Sequence, residues 1–590
     1  MNVEVSRSTL HMVPSLPASG EGDCAFYGDE PVPAGWRSID VRARCHAHQD
    51  EWGQALKAWH GQMMTVAAAA TPWAWFLSGS RQHVWHPPIR PLLFALALVD
   101  HFREHRGAVL WAVGAPAEVG DYVTELSRGT VDVIGRGAVS ADAGAWSDLA
   151  RPAMEALSVL RRAMTPRAPR LSAGPVDLVV CSIALTSRSV RERGDHYFGR
   201  ALDGGPLRVH WLYQPAGSSF RTEIEGAMAE SGRSFTWADE CLNWRDAIAI
   251  IRTSIRTRRR LAAIMDEIPP LVIAGATSRL FARRFFEQLL VKVSPRTELI
   301  MHLAVTKVLA ALRPAAVCYP YEEKPVEHAI LAAAATAGCR TIGFAHAAYA
   351  SSYLYLQAAE PGALSPPRPS VLACAGRGFG GWLERTFART DRTVYVGSPR
   401  WTPPPSSSIA HTPARPLRVL VLTSFPYELA VMADWMSENP GLFEGMDVTV
   451  RPNPSAWAQE QEAQFARLRK VGRVNVDGRT GLDAQVATTD VVLFCATSAA
   501  AEAIWHGRLA IYVEWSDLWI TDPLKGKSGE HTVPRCQTAE MLRGALVDLS
   551  NMDAAGYAAA LSAQREVAAE IYGPFDAAVF SNLVMERASV

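Results

Sequence analysis

The sequence lacks an excess of charge of one sign and a paired-cysteine motif. Its 59 basic and 59 acidic side chains cancel, so no global field would steer the chain to nucleic acid. The nine cysteines are scattered singly, without C-x-x-C spacing, which argues against a disulfide framework and a zinc ribbon. We therefore predict a cytoplasmic protein with no nucleic-acid partner, no bound metal and no cofactor.

Long apolar runs are also missing. The most apolar stretches, residues 63–77 and 91–99, are shorter than the ~20 residues that span a bilayer, and the N-terminus does not have the pattern of a signal peptide. The arginine-rich run IRTSIRTRRRL at 251–261 has two interpretations. We favour a solvated helix face, and keep a peripheral contact with the inner membrane as the second interpretation.

A chain of 590 residues exceeds the size of one hydrophobic core, so two or three domains are expected. Residues 1–90, rich in Trp, His, Pro and Gly, predict an irregular or helical extension. Alternating strand and helix patterns over 91–395 predict a Rossmann-like domain with helical insertions. After a Pro- and Ser-rich linker, the alternation restarts and predicts a second Rossmann-like domain over 396–590. The fold class is therefore α/β, with two such domains facing a cleft.

Polar side chains follow several of the predicted strands, at the ends where parallel sheets bind ligands. They are Glu322 and Glu323 after PAAVCY, His346 after RTIGF, Ser424 after LRVLVLT, Arg451 and Asn453 after DVTV, and Thr497 and Ser498 after DVVLF. Their shared position favours one site built from both domains.

The adjacent acids Glu322 and Glu323 have two interpretations. A carboxylate beside a second carboxylate in a partly desolvated cleft has a raised pKa and can accept a proton from a hydroxyl near neutral pH. Alternatively, both acids lie at the positive N-terminal end of the helix that begins near Pro325. The pattern supports both interpretations about equally.

The stretch TSAAAEAIWHG predicts a helix that opens with Thr497 and Ser498. Their hydroxyls and the neighbouring backbone N–H groups would suit a phosphate or diphosphate, and Glu502 one turn later would suit ribose hydroxyls. The alternative is an ordinary N-cap with nothing bound.

These features together resemble the GT-B glycosyltransferases, especially bacterial enzymes that build surface polysaccharides, sialyltransferase-like enzymes among them. TTDVVLFCATSAAAEAIWHGRLAIYVEW resembles their strand, phosphate loop and helix, and YEEK resembles the paired-acid motif of bacterial sialyltransferases. RTIGFAHAAYASSYLYL resembles a segment of surface-carbohydrate enzymes, with His346 in the histidine position. DHYFGRAL and VGSPRW are similar to further pieces of that group.

The resemblance implies a role for each candidate residue. Glu323 would be the catalytic base, with Glu322 beside it, and His346 would position a substrate. The donor would contact Ser398, Arg400, Ser424, Arg451, Asn453, Thr497, Ser498 and Glu502. The acceptor would contact Asp195 and Arg193, which lie in a polar loop after the strand VDLVVCSIAL.

The leading hypothesis is a metal-independent glycosyltransferase that moves a sugar from a nucleotide donor, CMP-linked in preference, to a surface-polysaccharide or other glycan acceptor, which could be lipid-linked. One alternative is polyol-phosphate transfer from a CDP-linked donor, with His346 as the base. The other is a catalytically degenerate scaffold. Lys324, Asn453 and Ala345 favour this last alternative, because each departs from the motif it resembles.

Overall fold

The computed structural model describes most of the chain. The described residues are 7–16, 22–26, 35–74, 89–135, 160, 171, 174–183, 190, 194–214, 218–292, 296–350, 367–400, 413–452, 458–471, 474–478, 480–516 and 518–586. Arg193 and Asn453 lie outside them.

Five parallel strands near the N-terminus form a sheet of their own. They are β1 (Ser8–Val13), β2 (Gly22–Phe26), β3 (Trp36–Ser38), β4 (Val109–Val113) and β5 (Val131–Gly135), in the order β3-β2-β4-β1-β5. β1 pairs with both β4 and β5, so the sheet crosses the boundary expected at residue 90. The prediction of a separate extension that ends at residue 90 is therefore wrong: residues 1–90 contribute three strands to this sheet, and the predicted helical character holds for 41–47 and 49–70. Strands of three to six residues among Trp, His and Pro gave no clear periodicity.

The second sheet has seven parallel strands. They are β6 (Leu178–Ser182), β7 (Val209–Tyr213), β8 (Ser234–Trp237), β11 (Ala316–Pro320), β12 (Arg340–Ala345), β13 (Val371–Cys374) and β14 (Thr393–Tyr395), in the order β14-β13-β12-β11-β6-β7-β8. A short antiparallel pair, β9 (Leu271–Ile273) and β10 (Ala276–Ser278), lies outside it. Every residue of β6 and β12 is buried, as expected of strands covered by helices on both faces.

The third sheet has six parallel strands in the order β17-β16-β15-β18-β19-β20. They are β15 (Leu417–Leu422), β16 (Met446–Arg451), β17 (Val474–Val476), β18 (Val491–Phe494), β19 (Leu509–Val513) and β20 (Arg535–Cys536). Counted from its first strand, this is the order 3-2-1-4-5-6 of a doubly wound Rossmann sheet. The second sheet follows the same order with one more strand. The predicted α/β fold with two Rossmann-like domains is therefore confirmed.

Helices connect these strands. They are α1 (Val41–Ala47), α2 (Gln49–Ala70), α3 (Ile89–Glu104), α4 (Ala117–Leu126), α5 (Ser218–Glu230), α6 (Trp244–Ala263), α7 (Arg279–Lys292), α8 (Arg296–Leu312), α9 (Pro325–Ala337), α10 (Phe379–Phe387), α11 (Pro426–Glu438), α12 (Ala458–Val471), α13 (Leu482–Ala487), α14 (Ala499–Trp505), α15 (Ala539–Ser550), α16 (Ala554–Ile571) and α17 (Ala577–Met585). Within the described ranges, no helix combines the length and apolar character of a membrane span.

The C-terminal segment returns from the third sheet to the second. The backbone N–H of Ser398 donates to the Gly573 carbonyl at 2.8 Å, and Ser398 and Pro574 form a β-bridge. Beyond it, the Arg340 guanidinium at the start of β12 bonds the Glu586 carboxylate at 2.6 Å. These contacts tie the two Rossmann-like domains together beside the linker.

Candidate active site

The two Rossmann sheets each reverse their strand order once, and ligands bind such sheets in the crevice at that switch point. In the second sheet the reversal falls between β6 and β11, which are hydrogen-bonded neighbours. In the third it falls between β15 and β18. The loop after β11 carries Glu322, and the loop after β18 carries Ser498. Some of the predicted site residues therefore lie at each switch point.

Glu323 points into the protein. Only 8% of the residue is exposed, and its carboxylate accepts a hydrogen bond from the Tyr321 hydroxyl and lies 3.4 Å from the Arg389 guanidinium. Arg389 also makes a two-pronged contact with Asp391, at 2.8 and 2.9 Å. The backbone of Glu323 has a φ of 56°, a conformation that non-glycine residues rarely adopt. The structure thus places this predicted base in a buried ion-pair network.

Glu322 lies closer to solvent than Glu323, with 21% of its side chain exposed. Its carboxylate pairs with the Lys324 ammonium and accepts from the Tyr197 hydroxyl at 3.4 Å. Its backbone N–H donates to both oxygens of Glu327 in α9, at 2.9 and 3.1 Å. Lys324 is the N-cap of α9, so neither of the adjacent acids caps the helix.

His346 follows β12 and is buried. Its ring meets the edge of the Tyr197 ring at 4.6 Å between centroids, which places Tyr197 between His346 and Glu322. Burial lowers the pKa of His346 to about 3, even though the nearby Glu322 carboxylate acts in the opposite direction. Its Nδ1 atom has no hydrogen-bond partner among the described residues. The ring is therefore neutral at physiological pH, and its Nδ1 atom is buried.

Arg400 and Tyr572 join the two switch points. The Arg400 guanidinium donates to the His196 carbonyl at 3.2 Å, and its charge acts on both His346 and Tyr572. The Tyr572 phenol is within hydrogen-bonding range of the Ser498 side chain and of the Ala348 backbone. Residues from both sheets are therefore brought to one place.

The segment before α14 is only partly an N-cap. The Thr497 hydroxyl accepts from the Ala499 N–H at 3.2 Å, whereas Ser498, the N-cap residue, makes no side-chain capping bond. Ser498 instead faces Tyr572. The helix has only seven residues, so its dipole is small. The hydroxyls of Thr497 and Ser498, which precede the helix, therefore matter more for binding an anion.

Glu502 lies one turn into α14 and belongs to a second group of polar side chains. Atoms of Asp483, Glu502 and His506 that could serve as metal ligands all lie within 4.8 Å of one another. Two carboxylates and an imidazole suit a divalent transition metal. Glu502 could therefore contact a ribose, as the sequence predicted, or help to hold a metal.

Glu428 is a buried acid that the sequence analysis missed. One oxygen accepts from the backbone N–H groups of Ser424 and Phe425, at 2.5 and 3.2 Å, and the other from Ala496 at 3.0 Å. Complete burial raises the pKa of Glu428 to about 7, against the effect of these three donors. Glu428 thus ties the loop after β15, which holds Ser424, to the loop after β18. A glutamate at the third position of the helix that follows β15, six residues after the strand end, was the available signal.

Arg451 turns away from the other candidate residues. Its guanidinium donates to the Thr480 carbonyl and to the Gln485 side chain at 2.6 Å. These contacts hold the end of β16 against α13. Arg451 therefore stabilises the neighbouring loop in this structure, and no described contact joins it to Ser498.

Asp195 is a buried organiser of the loop after β6. It accepts from the Ser182 hydroxyl at 2.8 Å and from the backbone N–H groups of Tyr197 and Phe198 at 2.8 and 3.0 Å. Burial raises the pKa of Asp195, and these donors oppose the effect. Its contacts place Tyr197 beside Glu322, so Asp195 acts on the site through Tyr197.

Lys527 is a second buried ionisable group that the sequence did not reveal. Its ammonium donates to the Tyr349 carbonyl at 2.7 Å and lies 3.9 Å from the centre of the Trp382 ring. Burial lowers the pKa of Lys527 to about 7. The residue lines a cavity of about 600 Å³ together with Arg377, Arg385 and Glu570. It joins the loop after β19 to the second sheet.

Residues 376–381 read Gly-Arg-Gly-Phe-Gly-Gly, directly after β13 and at the start of α10. This spacing matches the dinucleotide-binding fingerprint, a match the sequence analysis missed. A Cβ on Gly376 would lie 2.1 Å from the Glu570 carbonyl oxygen, and one on Gly378 would lie 1.7 Å from the Glu570 side chain. The end of α16 therefore occupies the space that a bound pyrophosphate would need.

Comparison with known proteins gives distant matches only. No protein-family model and no curated protein match the sequence. MurG of Acinetobacter baumannii is 14% identical with a TM-score of 0.36, over 69% of this chain and 99% of that one. HepE of Anabaena in complex with UDP is 10% identical with a TM-score of 0.38, over 69% and 98%. The glycosyltransferase SnogD of Streptomyces nogalater is 14% identical with a TM-score of 0.38, over 70% and 100%.

Proposed function

We propose that this chain is a glycosyltransferase that moves a sugar from a nucleotide donor to a hydroxyl of a glycan acceptor. The proposal is carried by the convergence of residues from the switch points of two Rossmann sheets. A cleft of this kind accommodates a nucleotide on one side and an acceptor on the other.

In the proposed reaction, the acceptor hydroxyl oxygen attacks the anomeric carbon of the donor sugar. The bond from that carbon to the phosphate oxygen breaks, and its electron pair stays on the phosphate. Glu322 takes the hydroxyl proton as general base, because its side chain is partly exposed while Glu323 is buried against Arg389. Lys324 pairs with Glu322, so acceptor binding must displace or share that ammonium.

The leaving nucleotide carries negative charge, which Arg400 and the Thr497 and Ser498 hydroxyls would stabilise. Electrostatic stabilisation of this kind is often the largest contribution to catalysis. His346 is neutral, so it would donate a hydrogen bond to a substrate or accept one from it. A base with a pKa of about 3 is weak near neutral pH, so His346 is a poor candidate for the base of a polyol-phosphate transferase.

Thermal unfolding in the presence of nucleotides tests the donor site. CMP, CDP, UDP, GDP and dTDP are added separately to the full chain, and CMP is expected to raise the melting temperature most. At a hundred times the dissociation constant, a ligand stabilises the native state by about 2.7 kcal/mol. Arg400→Gln should reduce this shift, whereas the exposed Arg543→Gln should not. If no nucleotide shifts the melting temperature, the scaffold alternative is supported.

Donor turnover tests the chemistry itself. The nucleotide released from each nucleotide sugar that binds is measured, with and without EDTA. We expect turnover to persist in EDTA, because Arg400 rather than a metal ion would stabilise the leaving group. Loss of turnover in EDTA, restored by a divalent ion, would contradict metal independence. The cluster of Asp483, Glu502 and His506 would then be the first place to look for the ion.

A further inference from the structure

Helix α6 presents a basic face to solvent. The helix carries Arg245, Arg252, Arg256, Arg259 and Arg260, which are spaced by seven, four, three and one residues. All five are exposed and lie along one stripe, with Arg260 at its border. With 3.6 residues per turn, these spacings return to the same side of a helix. The opposite side packs into the protein through Ala247, Ile250, Thr257 and Leu261.

Among the described residues, no carboxylate forms an ion pair with any of these five arginines. The ion pairs found near this helix involve other basic residues. The single acid within α6 is Asp246, which bonds the Asn243 N–H at 2.7 Å and pairs with Lys307. The next acids, Asp266 and Glu267, follow the end of the helix. The positive charge of this face is therefore uncompensated, although the whole chain is neutral.

Two large apolar side chains border the arginines. Trp244 is 55% exposed and Ile255 is 50% exposed. They are eleven residues apart, which is close to three full turns, so they lie on the same side of the helix. A solvated helix face has no need of an exposed tryptophan and isoleucine, whereas a helix lying in a lipid headgroup region does.

We propose that this face of α6 docks on an anionic membrane surface, with the arginines on lipid phosphates and with Trp244 and Ile255 among the headgroups. The charge is complementary to acidic lipid, and the apolar pair favours a bilayer over a soluble polyanion. α6 is already folded and packed, so docking requires no coil-to-helix ordering. The proposal does not depend on the proposed transferase activity.

Co-sedimentation of the full chain with lipid vesicles tests the proposal. Vesicles of phosphatidylcholine mixed with phosphatidylglycerol are compared with vesicles of phosphatidylcholine alone. We expect binding to the mixed vesicles only, weakened by added salt. The triple variant Arg252→Gln, Arg256→Gln, Arg259→Gln should bind about a hundredfold more weakly, since each arginine near an anionic surface contributes about a factor of five.

A matched control variant changes the same net charge elsewhere. Arg106→Gln, Lys470→Gln and Arg543→Gln alter three exposed side chains on other parts of the surface, and vesicle binding should be unchanged. Equal loss of binding in both triple variants would overturn the proposal, because it would show a general charge effect. All substituted side chains are solvent-facing, and circular dichroism is used to check that each variant is folded.

The apolar pair gives an independent readout. Trp244→Ser with Ile255→Ser should weaken binding even at a salt concentration that screens the arginines. Binding of soluble heparin with no binding to mixed vesicles would also overturn the membrane proposal, and would indicate a polyanion partner for the same face. Quenching of tryptophan fluorescence by brominated lipid should be smaller in Trp244→Phe than in the unmodified chain, and equal quenching would count against insertion.

Discussion

Replacing Glu323 and Glu322 separately distinguishes a structural acid from a catalytic one. Glu323→Gln removes one of the two carboxylates that neutralise the buried Arg389 guanidinium, whose side chain is 1% exposed. Glu322→Gln removes a partly exposed carboxylate that pairs with Lys324. The two changes are chemically identical and fall on adjacent residues, so each serves as the control for the other.

The expected loss of stability follows from the contacts. Breaking a buried ion pair costs about 3–5 kcal/mol when the remaining charge has no other partner. Arg389 keeps both contacts to Asp391, and a glutamine oxygen at position 323 can still accept from the Tyr321 hydroxyl. We therefore expect Glu323→Gln to cost about 2 kcal/mol. That corresponds to a fall in melting temperature of about 4–8 °C for a domain of ordinary size.

Glu322→Gln should show the opposite behaviour. A partly exposed pair contributes at most about 1 kcal/mol, so the melting temperature should change little. Loss of a general base lowers turnover by about 10²–10⁴-fold. Unfolding is followed by scanning calorimetry and turnover by nucleotide release. A Glu323→Gln variant with unchanged stability and abolished turnover would refute this assignment and identify Glu323 as the base.

Three further predictions concern groups elsewhere in the two domains. His346→Gln should leave the acidic limb of the pH–rate profile in place. The reason is that His346, with a pKa of about 3, does not change its protonation near neutral pH. Disappearance of that limb would identify His346 as the base. Gly378→Ala should destabilise the chain by several kcal/mol, because the added Cβ would overlap Glu570. Gly544→Ala in α15 is the matched control: its added Cβ would have no atom within 4 Å, so the change should stabilise the chain by about 0.5–1 kcal/mol. The reverse order in calorimetry would contradict the packing of α16 against α10. The folded-state pKa of Glu428 lies above its ordinary value of 4.5, so stability should be full below pH 4.5 and fall by about 3 kcal/mol as pH rises to about 7. Glu428→Gln should lack this slope in pH-dependent urea unfolding, and an unchanged slope would assign it to another group.

The sequence predicted the two Rossmann-like domains because their strands are continuous apolar runs between helical patterns. β6 and β18 are buried along their whole length, which is what such runs indicate. The N-terminal sheet escaped prediction for a physical reason. β3 has only three residues, two of them exposed, and β2 is paired through its backbone with few large apolar side chains. Short strands of this kind are specified by their neighbours rather than by their own pattern.

Strand ends led to the candidate residues, but side-chain direction could not be predicted. Glu322 and Glu323 are adjacent in sequence, and the positive φ at Glu323 sends their carboxylates to different surroundings. Likewise, Arg451 follows a strand as predicted, but its guanidinium reaches Gln485 in a neighbouring helix. Partners such as Arg389, which is 66 residues from Glu323, are long-range contacts that no local pattern reveals.

The N-terminal sheet is part of the architecture of the candidate site. The loop after β19 contacts α2, which packs into the same core as this sheet. The Gln49 side chain at the start of α2 both donates to and accepts from the Ile520 backbone, at 3.1 and 2.7 Å. Leu518 and Trp519 of the same loop are buried in the core of the N-terminal sheet. Further along the same loop, the Lys527 ammonium donates to the carbonyl of Tyr349, which follows β12 of the second sheet. One loop of the C-terminal Rossmann-like domain is thus anchored both in the core of the N-terminal sheet and beside the second sheet, so the N-terminal sheet restrains the relative position of the two switch points.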